Sequence, residues 1–420
     1  MTHAPAAPRP ARDQTAADRC PGVLRPHQAA DGALLRLRVP GGWVPASTLD
    51  AISAAAATFG DGDVQVTSRA NLQLRAVVTE PSGGVAAALV DEVVRAGLLP
   101  HPSHERVRNI VCSPLSGLAG GLADLRGLTR KVDEKLCAAA DLAELPGPFL
   151  FALDDGRGDL DAVPADLRVR AVDRDAGQIL VGDAAIGPEV PLDRAANLVI
   201  ELGRAFLRLQ QGEPIWHVRE LPQRGLELFS QVDAGPATLV RRKSATAGLP
   251  LGRLTQDDGR AVLSALAPLG LLDRRQVAAL TAAAALGSGQ LVITPWRGVL
   301  VPDLPFSEAG IAAGWLAAAG LELADGSPWQ GVTACTGAPR CAHGLGETRL
   351  LAGRVVQGRL AGTANDTLPV HVVGCSRRCG SPSGPHVEVL SWPDRVEISR
   401  DGEAIVVPVA EAPAAVWGGR

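Results

Sequence analysis

The chain has 420 residues, 46% of them apolar and 20% charged, with a formal net charge of −4. That length allows two to four domains with real cores, and the charge gives no global reason to expect nucleic acid or an anionic membrane as partner. No apolar run approaches the roughly 18 residues of a membrane span. The opening MTHAPAAPRPARDQTAADRCPG lacks the apolar core of a secretory signal and reads as a disordered lead-in. The default compartment is then the cytoplasm, where paired cysteines more often bind metal or do redox work than form disulfides.

After the lead-in, GALLRLRVPGG alternates apolar and polar positions, a strand ending at a Gly-Gly turn. On that alternation Arg36 and Arg38 belong to the strand's solvated face. PASTLDAISAAAATFG follows as a helix closed by Gly60. VQVTSRANLQLRAV alternates again, a strand pair broken at Arg69-Ala70-Asn71, and residues 81–99 supply the next helix. The order recurs later. Residues 249–270 lead into a helix at 273–287, a strand at 289–304 and a helix at 307–321. VQVTSRANLQL matches LVITPWRGVLV, with Arg69 and Arg297 taken as counterparts, and RVRNIVCSPLSG corresponds to WQGVTACTGAPRCAHG. The chain therefore reads as two copies of one unit, roughly 24–240 and 245–402.

Only the second copy carries cysteine pairs: Cys335 and Cys341 as C-x5-C, Cys375 and Cys379 as C-x3-C, four of the seven cysteines in the chain. Thiolates suit iron and zinc because sulfur is soft, and four of them can hold a tetrahedral zinc or a cubane iron–sulfur cluster. These spacings are wider than the short knuckles of structural zinc. Gly337, Pro339, Gly374 and Gly380 permit tight turns, and Arg340, Arg377 and Arg378 would offset negative charge. Zinc, or four cysteines with no ligand, are the competing readings.

The arrangement C-x5-C…C-x3-C behind TAC-x-G, in a duplicated chain, resembles the sulfite/nitrite reductase superfamily. VTSRANLQLR is similar to its T-x-R-x-x-x-Q element, and VRNIVCSPLSG to its R-N-x-x-x-x-P-x-x-G element. The resemblance implies an α+β, internally duplicated fold, with two ferredoxin-like half-domains and two α/β half-domains around a tetrapyrrole cleft. It implies Cys335, Cys341, Cys375 and Cys379 as ligands of a [4Fe–4S] cluster, with Cys379 nearest the tetrapyrrole. The corresponding divisions are a lead-in 1–23, ferredoxin-like halves 24–99 and 245–323, α/β halves 100–244 and 324–402, and a tail 403–420.

The reductases of this family bind their anion over sirohaem with two arginines and two lysines. Arg69 and Arg108 stand for the arginines, but Pro148 and Leu150 fall where the lysines belong, in ELPGPFLFALDDGRGDL. The segment FALDDGRGD and the form H-V-x-G-C-x-x-x-C resemble instead the precorrin-3B synthase branch of the family. That branch implies oxygen-dependent hydroxylation of precorrin-3A at the C20 meso carbon, with γ-lactone closure. No dinucleotide-binding G-x-G-x-x-G opens a helix, so an external electron donor is expected. Sirohaem is expected only if the chain is a sulfite or nitrite reductase.

A tetrapyrrole substrate carries carboxylates around an apolar ring, and arginine forks pair with carboxylates bidentately. Arg69, Arg75, Arg108 and Arg297 are the candidates, with Gln73 and Asn109 as neutral donors. The resemblance also allows a non-haem iron. Carboxylates of DDGRGD (154–159) could contribute, although a surface turn is the simpler reading and the ligands are not located. His343 and His371 flank the cysteine loops as acid/base or iron candidates. Cys112 reads as a small buried apolar residue; Cys20 and Cys137 carry no pattern.

Overall fold

The computed structural model describes residues 18, 20–239, 248–361, 368–382 and 384–418. Most of the expected lead-in lies outside them. The chain divides into two compact units, one built around Leu34–Leu323 and the other around Ala324–Arg420.

The first unit contains both ferredoxin-like halves. One sheet includes, in order, strands Gly32–Leu37, Leu72–Val77, Val64–Val66 and Leu271–Leu272. The other runs Gly252–Thr255, Ala261–Leu266, Gly298–Leu304, Gln290–Ile293 and Trp43–Pro45. Each sheet thus borrows its last strand from the other half. Trp43–Pro45 pairs with Gln290–Ile293, and Leu271–Leu272 pairs with Val64–Val66. The exchange is symmetric in detail. Each borrowed strand follows a 3₁₀ turn, Pro40–Gly42 or Pro268–Gly270, and precedes a helix, Ala46–Phe59 or Arg274–Ala285. Glycine is required at both crossings: φ is +80° at Gly42 and +73° at Gly270. A Cβ would fall 2.2 Å from the Ile293 carbonyl oxygen in one case and 2.7 Å from that of Val66 in the other.

The span 289–304, read from sequence as one strand, is a hairpin of Gln290–Ile293 and Gly298–Leu304. Its turn corrects the alignment. Asn71 N donates to Thr67 Oγ1 at 3.1 Å, and Gly298 N donates to Thr294 Oγ1 at 3.0 Å. The turns superimpose Thr67 on Thr294, and the left-handed residues Ala70 (φ 54°) and Arg297 (φ 61°) coincide. Arg297 therefore stands opposite Ala70, not Arg69.

The first unit also holds an α/β half. Its sheet runs Ala237–Leu239, Ile186–Pro191, Ala176–Val181, Leu167–Ala171, Phe151–Asp154 and Ile110–Cys112. The last three strands are parallel and the others antiparallel. Helix Arg126–Ala138 makes the crossover that a parallel pair needs. Phe149 packs on Phe151 and Phe206 at centroid distances of 5.3 and 5.0 Å, all three buried in the core.

The second unit repeats this plan. Strands Val332–Ala334, Val370–Val373 and Val387–Ser391 are parallel, and Arg395–Arg400 and Glu403–Pro408 continue antiparallel. Helix Thr348–Ala361 is the crossover. The supposed tail from 403 is part of this unit. Asp401-Gly402, at φ 51° and 88°, forms the tight turn that Asp-Gly favours and returns the chain as the outer strand. Helix Ala412–Trp417 then packs down, with Trp417 Nε1 donating to the Val355 carbonyl at 2.7 Å.

Candidate functional site

In the second unit, parallel strands Val332–Ala334 and Val370–Val373 end side by side, so the loops bearing Cys335 and Cys375 leave the same sheet edge. Ligand crevices of α/β sheets form at such carboxyl ends. Cys335 N donates to the Val372 carbonyl at 2.9 Å, and Gly374 N donates to Cys335 Sγ at 3.2 Å. Three glycines let the loops close on one another. A Cβ on Gly374 would come within 3.3 Å of Gly337 Cα and Gly344 Cα, and one on Gly344 would clash with Ala338 N at 2.4 Å. Thr348, opening the crossover helix, fixes the Cys335 carbonyl through its hydroxyl at 2.7 Å.

All seven cysteines are free thiols. Burial raises the Cys335 and Cys379 pKa values. Proximity to Cys335, Cys375 and Cys341 raises Cys379 further, while Arg377 lowers it. The four thiols therefore converge electrostatically. Yet among the described residues no three of them lie within 4.8 Å of one another. Tetrahedral zinc, with Zn–S about 2.3 Å, needs sulfurs about 3.8 Å apart, a spacing that no three of these thiols meet.

His371 is fully buried, with Nδ1 2.7 Å from Thr333 Oγ1 and Nε2 3.1 Å from the Cys379 carbonyl. Since a carbonyl only accepts, Nε2 carries the proton, while Nδ1 faces the Thr333 hydroxyl, which also lies 3.4 Å from the Val370 carbonyl. Both nitrogens are engaged, so His371 braces the cysteine loop and offers no lone pair for iron. His343 is exposed. Arg378 pairs with Glu388 at 2.8 Å.

The first unit brings only some of the other candidates together. Arg108 is taken up by Asp133, its Nε and Nη2 donating at 2.8 and 2.7 Å, and Nη1 faces the Leu98 carbonyl. Asn109 donates to the carbonyls of Arg106 and Gly147 and accepts from Asn71. Both are internal braces. Arg69 Nη1 donates to the Pro148 carbonyl at 2.8 Å. Gln73 accepts from Arg36 Nη2 at 3.1 Å and donates to Gln65 at 2.7 Å. Arg75 is buried on its strand, and Arg297 sits half-buried at its turn, where burial lowers its pKa.

Arg36 and Arg38 are not on a solvated face. Arg38 is 2% exposed; Nε and Nη2 donate to the Arg106 carbonyl, and Nη1 is buried with no partner among the described residues. Arg36 Nε is likewise buried and unpartnered. Burial first, then the Arg36 charge and more weakly that of Arg69, pull Arg38 down to about 9, still protonated at neutral pH. Arg38 thus feels two further guanidinium groups, Arg36 and Arg69, against the opposing charges of Cys20 and Glu105, and Arg36 Nε and Arg38 Nη1 are idle donors among the described residues. Sequence alternation missed this cluster because the second face of this strand is half-buried and Arg38, just past its end, is buried. The signal available was Arg-x-Arg running straight into the Gly-Gly turn.

Where the two lysines would stand, Pro148 and Leu150 are buried, with Leu150 1% exposed. Beyond them, DDGRGD is no surface turn. Asp154, Asp155 and Asp159 are all buried and can present three oxygens within 4.8 Å of one another. Asp154 Oδ1 accepts from Gly156 N and Gly158 N, Arg157 grips Asp155, and Ser113 Oγ donates to Asp159 Oδ1 at 2.7 Å. Burial, with the neighbouring Asp154 and Asp155 charges, raises Asp159 to about 7.

Among the described residues no helix is long and apolar enough to cross a membrane. The family model described as nitrite/sulfite reductase ferredoxin-like half domain matches residues 25–91. The precorrin-3B synthase of a Sinorhizobium species is 26% identical over 408 residues, covering 93% of this chain and 84% of that protein. The ferredoxin–nitrite reductase of Synechococcus elongatus is 26% identical over 431 residues, covering 89% and 78%. The solved NirA protein of Mycobacterium tuberculosis shares the fold at a TM-score of 0.73 and 16% identity, over 91% of this chain and 79% of that one. With its exchanged ferredoxin-like halves and repeated α/β halves, the chain belongs to the nitrite/sulfite reductase-like superfamily.

Proposed function

We propose that the protein is an iron–sulfur oxidoreductase of precorrin-3B synthase type, hydroxylating precorrin-3A with oxygen and closing a γ-lactone. The observation that carries this reading is the pairing of four convergent thiols with Pro148 and Leu150, buried where an anion reductase of this family would present two lysines. Cys335, Cys341, Cys375 and Cys379 would hold a [4Fe–4S] cluster, which supplies one-electron transfer. The all-thiol donor set and the close glycine contacts between the loops that carry it support such a group.

The chain's own residues then divide the remaining work. Arg36, Arg38 and Arg69 would pair with carboxylates on the macrocycle rim, and Gln73 orients Arg36. His371 holds the Cys379 carbonyl and so fixes that cysteine loop. Reducing equivalents would come from an external donor.

A second reading, a sirohaem-dependent sulfite or nitrite reductase, is favoured by the nitrite reductase among the relatives. An anaerobic optical spectrum with iron and labile sulfide counts separates the two. A broad shoulder in the blue with about four cluster irons, no sharp red haem bands, and oxygen-dependent turnover of precorrin-3A support the first. Strong sirohaem bands with sulfite or nitrite reduction overturn it. Absence of iron and sulfide after anaerobic purification and reconstitution would sink both.

A further inference from the structure

The two α/β halves place the same loop at the same sheet edge. In the cysteine half Gly374 N donates to Cys335 Sγ at 3.2 Å; in the other, Asp155 N donates to Ser113 Oγ at 3.1 Å. The residues following strand Phe151–Asp154 are thus the counterpart of the cysteine loop, with carboxylates where the other half has thiols.

Two oxygens of this loop lack hydrogen bonds. Asp154 Oδ2 and Asp159 Oδ2 are buried with no donor among the described residues, on side chains 0% and 5% exposed. The cations nearest them stand off, Arg170 Nη2 at 3.9 Å from Asp154 Oδ2 and Arg157 Nε at 3.8 Å from Asp159 Oδ2. Arg157 is committed to Asp155, and Arg170 to Asp161. Counting Asp161, four carboxylates against two arginines leave two formal negative charges, and two lone-pair sites are unfilled. A buried carboxylate oxygen without a donor is costly, so the arrangement calls for a positive occupant.

We propose that Asp154, Asp155 and Asp159 hold a hard divalent cation, of the magnesium or manganese kind, in the half of the molecule that lacks the cysteines. Three oxygens within 4.8 Å of one another can surround an ion with metal–oxygen bonds of about 2.1 Å. The donor set is carboxylate throughout, with neither imidazole nor thiol, which selects a hard ion over iron, zinc or copper. Access exists as well. Asp159 and Arg157 line a cavity of about 630 Å³ whose walls include Leu115, Arg253 and Leu254, room for the waters that such ions retain. The site stands independently of the reaction assigned above.

The test uses the full-length protein and manganese. Free Mn²⁺ is followed by its electron paramagnetic resonance signal during titration of the wild type, Asp159→Asn, Asp154→Asn and Cys335→Ser. The expected result is one saturable site per chain, displaced by excess Mg²⁺, weakened at least tenfold by either asparagine variant and unchanged in Cys335→Ser. The asparagine replacements keep side-chain volume, and metal-free melting curves verify that both variants fold. Should one fail, the other decides. No saturable site, or equal affinity in wild type and asparagine variant, overturns the proposal and leaves a proton as the occupant. Because the readout involves neither cluster nor tetrapyrrole, its failure is distinct from a failure of the proposed activity.

Discussion

Ser113 and Cys335 occupy one position in two copies of the same sheet edge, each accepting from the backbone N–H of the neighbouring loop, at 3.1 and 3.2 Å. The scaffold bond is shared, and what differs is the atom that accepts it. Cys335→Ser should therefore keep its loop bond yet lose the soft ligand. Iron and labile sulfide per chain should fall from about four to near zero, with little change in melting temperature of the cluster-free protein. Ser113→Cys should add neither, since carboxylates surround it. Full iron content in Cys335→Ser would contradict the cluster assignment.

His371 tests whether the cysteine loop is held from behind. Removing a buried hydrogen-bonding partner costs about 1–3 kcal/mol, and His371→Ala strips one from Thr333 and one from the Cys379 carbonyl. The variant should melt lower and lose its cluster to a chelator several-fold faster. His371→Gln, which can still donate to the carbonyl, should recover part of both. A wild-type rate of cluster loss in the alanine variant would remove His371 from the site.

The Arg108–Asp133 pair carries a stability prediction. Asp133→Ala leaves a nearly buried guanidinium without its carboxylate, a loss of about 3 kcal/mol, readable as a shifted urea midpoint. Asp124→Ala breaks the exposed pair with Arg126 and should cost under about 1 kcal/mol. Equal effects would mean that Arg108 finds another partner, as a substrate-facing arginine could.

The duplication and the cysteine pairs were legible because each rests on local pattern: repeated strand–turn–helix order, and two cysteine pairs on glycine-bearing loops. The strand exchange was not. Trp43–Pro45 and Leu271–Leu272 are too short for periodicity to reveal, and their partners lie more than two hundred residues away in sequence. The arginines show a subtler failure. Alternation separates two faces of a strand but does not say how far either is covered, so on alternation alone Arg36 and Arg38 point outward. Arg108 and Asn109 matched a motif, yet whether a motif arginine faces a ligand or an Asp133 depends on a helix elsewhere in the chain. The DDGRGD loop misled for a related reason, since Asp and Gly mark tight turns whether or not they are buried.

Cys112 offers a pH-based check on the first α/β half. Its thiol is 2% exposed and burial pushes it up to about 12. Raising an acid's folded-state pKa means that the neutral form is favoured, so at pH 8 only about one thiol in ten thousand is ionised. Iodoacetamide should leave Cys112 unmodified in the native protein at pH 8 and label it fully in urea, as peptide mass spectrometry would show. Stoichiometric native labelling would mean that the strand Ile110–Cys112 opens readily.

Arg36 and Arg38 supply the prediction that bears most on function, because it sets stability against binding. Both guanidinium groups are desolvated, and each keeps a buried N–H with no acceptor among the described residues. Without a bound anion they cost the fold more than they return. Arg38→Gln and Arg36→Gln should therefore leave the melting temperature unchanged or raise it. With a carboxylated tetrapyrrole bound, each loses a charge-assisted bond worth about 1.5–3 kcal/mol, which is roughly ten- to a hundredfold in affinity. The measurement is a pair of numbers for each variant: Tm without ligand, and Kd for a tetrapyrrole carboxylate followed by its visible spectrum. Binding weakened at constant or higher Tm identifies residues kept for the ligand. Binding unchanged, with Tm lowered, would make them braces like Arg108 and move the carboxylate site elsewhere.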